Sequence, residues 1–109
     1  MFKDNCVKEV EKFNKIKVHV VGDTIVDTYT RTTLVGGNIK TPTFSVLYGG
    51  HDDYLGGAGI VARHLKAAGA DVTFTSIVGN DKLGKYVADQ IKEAKLKNNL
   101  VHLYFYIQL

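Results

Sequence analysis

The sequence predicts an α/β chain: a parallel sheet with helices, and a small β-ribbon standing apart from it. Three observations predict this. Residues 16–21 (IKVHVV) and 71–78 (DVTFTSIV) are compact, β-branched runs of strand length. Residues 58–68 and 82–94 carry apolar side chains at helical spacing. Residues 27–54 are Thr-rich and β-prone, show no helical period and are punctuated by glycines. Helices alternating with strands give a parallel sheet as the natural architecture.

In chain order, residues 4–13 place Val7, Val10 and Phe13 three apart among Lys and Glu. That is a short amphipathic helix, with Asp4 or Asn5 as its N-cap. The run at 16–21 is the first strand, and Gly22-Asp23 turns the chain at its C-terminal end. In open α/β sheets this end is where ligands bind. TYTRTTLV and TPTFSVLY then form two or three short strands joined by Gly turns, GGNIK between them and GGHDD after. Pro42 belongs at a strand start or edge. The next helix turns Ala58, Val61, Ala62, Leu65 and Ala68 to one face and stops at Gly69. The strand at 71–78 alternates Val72, Phe74 and Ser76 against Thr73, Thr75 and Ile77. Asp81 then caps a helix striped with Leu83, Val87, Ile91 and Ala94, and the apolar tail LVHLYFYIQL is a final strand.

Composition narrows the function. The chain has 109 residues, enough for one small domain and too few for two. It is 45% hydrophobic and 23% charged, with a net charge of +3 and both signs interspersed. No basic patch with interleaved aromatics appears, so nucleic acid is not an expected partner. A single cysteine, Cys6, precludes an intrachain disulfide and fits a reducing compartment. The start lacks a signal-peptide h-region, and no run reaches the ~18 apolar residues of a membrane span. A cytoplasmic chain without a membrane partner is the expectation. His19, His51, His64 and His102 are scattered, with no metal-ligand spacing, so no metal site is expected. No phosphate loop of the G-x-x-x-x-G-K-[ST] type and no nucleophile elbow is present.

Two constellations could carry chemistry. In Gly22-Asp23-Thr24-Ile25-Val26-Asp27, a carboxylate follows a strand end, where it can accept hydrogen bonds from paired hydroxyls of a polyol. The bland alternative is that Asp23 caps a turn and Asp27 faces solvent. In Gly56-Gly57-Ala58-Gly59, small residues lead into a helix, so backbone N–H groups can meet ligand oxygens. The alternative there is tight helix–sheet packing. Residues 57–62 also satisfy G-x-G-x-x-A, the dinucleotide fingerprint. That motif needs a strand immediately before it, and HDDYL reads as a polar turn. It also needs an acid closing the second strand about 20 residues on, and none stands there.

Together these pieces resemble the N-terminal part of the ribokinase-like (PfkB) carbohydrate kinases, within them the heptose-phosphate kinase branch of ADP-heptose synthesis. The resemblance covers residues 16–97 and rests on VHVVGDTIVDTY, on the ribbon with KTPTFSV, and on LGGAGIVARHLKAAGADVTFTSIVGND. The last segment looks like the family signature Gly-Gly-Ala-x-Asn-Val-Ala, helix, Gly-Ala, strand, Gly-x-Asp. The resemblance implies a partial ribokinase-like domain over 1–109, with 27–54 as a lid that covers the substrate and makes a homodimer contact. It implies transfer of the γ-phosphoryl of ATP, with Mg²⁺, to a hydroxyl of a sugar or sugar phosphate. By position, Asp27 would bind sugar hydroxyls, with Asp23 close by, and Gly56 and Gly57 would present backbone to the sugar.

Two departures bear on that expectation. Ile60 stands where the family has Asn, so the substrate differs, another residue supplies the contact, or sugar binding is impaired. The family's Gly-x-Gly-Asp motif, with its anion hole and catalytic base, lies in a C-terminal half that this sequence does not contain. The isolated chain is therefore expected to be inactive: a fragment, a truncated product or one piece of a split protein. Two other readings stay open: a non-catalytic module that dimerises through the ribbon, and a small dinucleotide-binding domain.

Overall fold

A computed structural model describes residues 1–37 and 42–104. Strands β1 (Lys17–Val21), β4 (Asp71–Gly79) and β5 (Lys97–Leu103) form a parallel sheet in the order β1-β4-β5. Strands β2 (Thr24–Gly36) and β3 (Ser45–Gly56) form a separate antiparallel ribbon. Helix α1 (Phe2–Glu11) precedes β1, α2 (Gly57–Ala67) follows β3, and α3 (Lys82–Glu93) joins β4 to β5. The predicted strand–ribbon–helix–strand–helix–strand order is the one observed.

The period-2 pattern of β4 sets the core. Val72, Phe74, Ser76 and Val78 are all buried, while the intervening Thr73, Thr75 and Ile77 are not. The buried face meets Ala62 of α2 and Val87 and Ile91 of α3. Right-handed crossovers running β1 to β4 to β5 put both helices on that same side. The opposite face stays open, with Val21, Ile77, Val101 and Leu103 exposed across the three strands. At the sheet's other end Lys97 Nζ donates to both carboxylate oxygens of Asp71 at 2.8 and 3.0 Å. That bond holds the Asp71 carboxyl below its ordinary pKa.

The structure corrects several expectations. Helix α1 starts at Phe2, and Asp4 sits in its first turn, reaching back to the Met1 amino group, instead of capping it. None of its side chains is buried, so Val7 and Val10 face solvent, and Phe13 lies in the following 3-10 turn. An apolar stripe defines a face but supplies no surface to cover it. The ribbon is longer than residues 27–54 and consists of two strands, with bulges at Thr30/Thr32 and Leu34/Gly36. Gly36 and Gly37 of the GGNIK link are described, whereas its other residues lie outside the described range. Pro42 lies in a bend before β3. Strand β5 begins at Lys97, earlier than the tail pattern indicated, and residues 105–109 lie outside the described range. Val61 and Leu83 are exposed, at the margins of stripes whose centres are Ala62, Val87 and Ile91.

One correction bears on function. A strand does precede the glycines, because HDDYL is the last part of β3 and runs directly into α2. Its polar character reflects the exposure of His51, Asp52 and Tyr54, so that Leu55, at the root of the ribbon, is its one buried residue. Strand β3 pairs antiparallel with β2, so it is not the parallel strand of a dinucleotide-binding βαβ unit.

Candidate functional site

The site forms where β1, the ribbon and α2 meet. Past Val21 the chain turns through Gly22-Asp23 and enters β2 at Thr24, whose Oγ1 lies 2.8 Å from Ser76 Oγ. That pair satisfies the buried Ser76 hydroxyl, which would otherwise be costly in the core. The Asp23 carbonyl accepts the Ala58 N–H at 2.9 Å, which ties the end of β1 to the first turn of α2. Asp23 thus contributes main chain to the joint while its side chain is exposed.

Strand pairing brings the predicted residues together. Ile25 lies opposite Gly56 and Asp27 opposite Tyr54. The Asp27 carboxylate leans over Gly56, so that a Cβ built on Gly56 would lie 2.5 Å from Asp27 Oδ2. Gly57 takes φ 59°, in the left-handed region, at the switch from strand to helix. Asp27, Gly56 and Gly57 are therefore one cluster. Of the small-residue amides entering α2, that of Ala58 is already bonded to Asp23, so it is not free for a ligand. Ile60 is half-buried in the first turn of α2. Gly59 is a packing residue: a Cβ there would lie 2.9 Å from Leu55 Cγ.

Asp27 also opens an adjoining groove of about 580 Å³, lined by Asp27, Tyr29, Thr30, Arg31, Asp52 and Tyr54. Tyr29 and Tyr54 meet edge to face, with ring centroids 5.4 Å apart. Arg31 Nη1 donates to Asp52 Oδ2. This pair is exposed, so its Coulomb energy is largely screened and it mainly holds two polar groups in place. Carboxylates, a guanidinium and tyrosine rings suit a polyhydroxylated ligand, through charge-assisted hydrogen bonds and apolar ring faces. Sequence reasoning missed Tyr29, Arg31, Asp52 and Tyr54. The signal was available for the first two: Asp27, Tyr29 and Arg31 alternate along β2 and share a face.

On the ribbon's other face, Thr28 Oγ1 donates to Asp53 Oδ1 at 2.6 Å. Tyr86 of α3 donates its hydroxyl to the Asp53 carbonyl at 2.7 Å. Burial raises the pKa of Tyr86, and the nearby Asp53 charge adds to the effect. Among the described residues, no group of three or more His, Cys, Asp or Glu side chains could hold a metal ion. Among them, no helix is long and apolar enough to cross a membrane.

Gly56→Ala isolates the carboxylate from the fold. Gly56 has φ −123°, which alanine adopts freely, and the atom its methyl meets is the movable end of Asp27. Its melting temperature should stay close to wild type. Any affinity that depends on Asp27 in its present position should fall, as a titration would read. Unchanged affinity would remove Asp27 and Gly56 from one shared site.

The chain is 32% identical over 87 residues to the bifunctional protein HldE of Campylobacter concisus (strain 13826), which covers 80% of this chain and 18% of that protein. It is 33% identical over 91 residues to the D-beta-D-heptose 7-phosphate kinase of Bordetella bronchiseptica, covering 84% of this chain and 29% of that protein. Among solved structures, a carbohydrate kinase from Agrobacterium tumefaciens superposes with a TM-score of 0.62 at 20% identity, over 84% of this chain and 28% of the other. A fructokinase from Xylella fastidiosa with bound ATP gives 0.57 at 21%, over 80% and 26%. At these identities the solved structures speak for the fold. The chain spans less than a third of the length of each of these proteins. No protein-family profile matches it.

Proposed function

The chain matches the N-terminal part of the ribokinase-like (PfkB) carbohydrate kinases in sequence and fold, and on that basis we propose that it forms the sugar-binding and lid portion of such a kinase. The observation that carries this reading is the Asp27 carboxylate set over Gly56, at the strand end that enters α2. Asp27 accepts hydrogen bonds from sugar hydroxyls. Gly56 and Gly57 keep that corner free of side chains, so a sugar can approach the main chain. Ile60 offers no hydrogen bond, and the groove residues Tyr29, Arg31, Asp52 and Tyr54 supply the further contacts. The acceptor is a sugar or a sugar phosphate, as in the named heptose 7-phosphate kinase relative. The ribbon covers the bound sugar and excludes water, which would otherwise compete as acceptor.

ATP with Mg²⁺ would supply the phosphoryl group in the complete kinase. The family's Gly-x-Gly-Asp motif does not occur in this sequence. Phosphoryl transfer rests on positioning and electrostatic stabilisation, so this chain by itself binds and shields the acceptor without turnover. A compartment holding ATP, the cytoplasm, is where it acts.

A second reading is favoured by Leu34, Val35, Val46 and Leu47, exposed apolar residues on the distal ribbon. They suit pairing with a second copy, either as the lid contact of a dimeric kinase or as a non-catalytic module. Calorimetry against sugars, sugar phosphates and ATP, with light scattering, separates the cases. The kinase reading expects a sugar ligand whose affinity falls about ten- to a hundredfold in Asp27→Ala, the worth of a hydrogen bond to a charged group. A dimer silent to every ligand supports the module. ATP turnover with a sugar that Asp27→Ala abolishes would overturn the proposed inactivity.

A further inference from the structure

Most of the ribbon stands clear of the rest of the molecule. Every side chain from Asp27 to Val35 on β2 is exposed, as are those of β3 from Ser45 to Tyr48. At its root the ribbon is anchored by buried Leu55 and partly buried Val26. Hydrogen bonds hold it at two levels. The lower level is Thr24 to Ser76 and Ala58 N–H to the Asp23 carbonyl, both at the start of β2. The upper level is Tyr86 to the Asp53 carbonyl, where Asp53 pairs with Thr28.

We propose that Tyr86 is a positioning residue that latches the ribbon to α3 and so fixes Asp27 over the glycine corner. The geometry supports each link. Tyr86 projects from a helix whose register is set by buried Val87 and Ile91 and by the Asp81 cap on Gly84 N–H. Its hydroxyl grips the main chain of Asp53 from this anchored platform. The Asp53 side chain in turn holds Thr28 Oγ1, on the residue next to Asp27. Movement of β3 at this level therefore carries Thr28 and Asp27 with it. The Tyr86 hydroxyl is a donor through the neutral range, as an ordinary phenol is, and burial only moves its titration further from neutrality. The latch itself is a property of the fold, and its bearing on ligand rests on the reading of Asp27 as the hydroxyl-binding carboxylate.

Tyr86→Phe removes the hydroxyl and keeps the ring. Hydrogen exchange on the purified protein should show amides of residues 28–36 and 46–53 exchanging about two- to tenfold faster, the range of one hydrogen bond. Amides of β4 should accelerate by no more than those of the ribbon, and the melting temperature should fall by no more than one hydrogen bond is worth. Affinity for the sugar the wild type binds should fall by less than in Asp27→Ala. Unchanged ribbon exchange would overturn the latch. So would acceleration of β4 with the ribbon amides unchanged, which would mean that Tyr86 serves global stability alone. If Tyr86→Phe loosens the ribbon but Asp27→Ala leaves sugar binding intact, the latch stands and the sugar-site reading falls.

Discussion

Phe74→Ala is expected to lower the unfolding free energy by about 3–5 kcal/mol. Phe74 is fully buried at the middle of the central strand, with β1 on one side through Val20 and β5 on the other through Asn98. Above it lie Ala62, Val87 and Ile91. Two strands and two helices hold those neighbours, so the cavity cannot close by local collapse, and the cost takes the upper part of the range. Domains of this size have only about 5–15 kcal/mol to lose, so the variant should be largely unfolded at modest urea concentrations. Leu83→Ala is the control, because Leu83 is 47% exposed despite its place in the α3 stripe. Its effect should stay within about 0.5 kcal/mol. Urea titrations followed by circular dichroism read both, and equal midpoint shifts would contradict the described core.

Gly57→Ala should be nearly as damaging, for a different reason. At φ 59° an L-residue pays about 1–2 kcal/mol in backbone strain. The added Cβ would also lie 2.6 Å from the Asp23 carbonyl oxygen, which is main chain and cannot swing aside. That oxygen accepts the Ala58 N–H, so its displacement loosens the joint between β1 and α2. The combined cost is expected at about 2–4 kcal/mol. Adjacent Gly56→Ala meets only a movable carboxylate. Thermal melts of the two variants should therefore separate by several degrees, with Gly57→Ala the lower. Matching melts would mean that the strand-to-helix switch does not need a left-handed residue.

Much of the fold was legible because two periods in the sequence are clean. The alternation of β4 and the spacing of Val87 and Ile91 each report one buried face, and burial is what makes a period visible. The ribbon gave a weaker signal for the same reason. Its strands are solvated along most of their length and buried only at the root, so HDDYL read as a turn although it is strand. Asp27, Gly56 and Gly57 were visible as separate local motifs. That they meet could be learned only from the pairing register. Tyr54 and Asp52 reach the groove solely by lying opposite Asp27 and Tyr29. Tyr86 lay further out of reach, since nothing along α3 indicates that its hydroxyl meets a main-chain carbonyl of β3.

The pairing of β1 with β4 has a consequence for how the chain reaches its native state. Lys17 lies opposite Asp71, with the whole ribbon and α2 between them in sequence. Closing so long a loop directly costs chain entropy and slows folding. The ribbon can form first, as a hairpin with local contacts only. Once zipped, it brings Thr24 beside Gly57, which are bridged in the native structure. The remaining search is then only for α2 to swing β4 against β1. The same element that stands over the glycine corner would thus act as a kinetic shortcut, shortening the path between two strands with which it does not pair in the finished sheet.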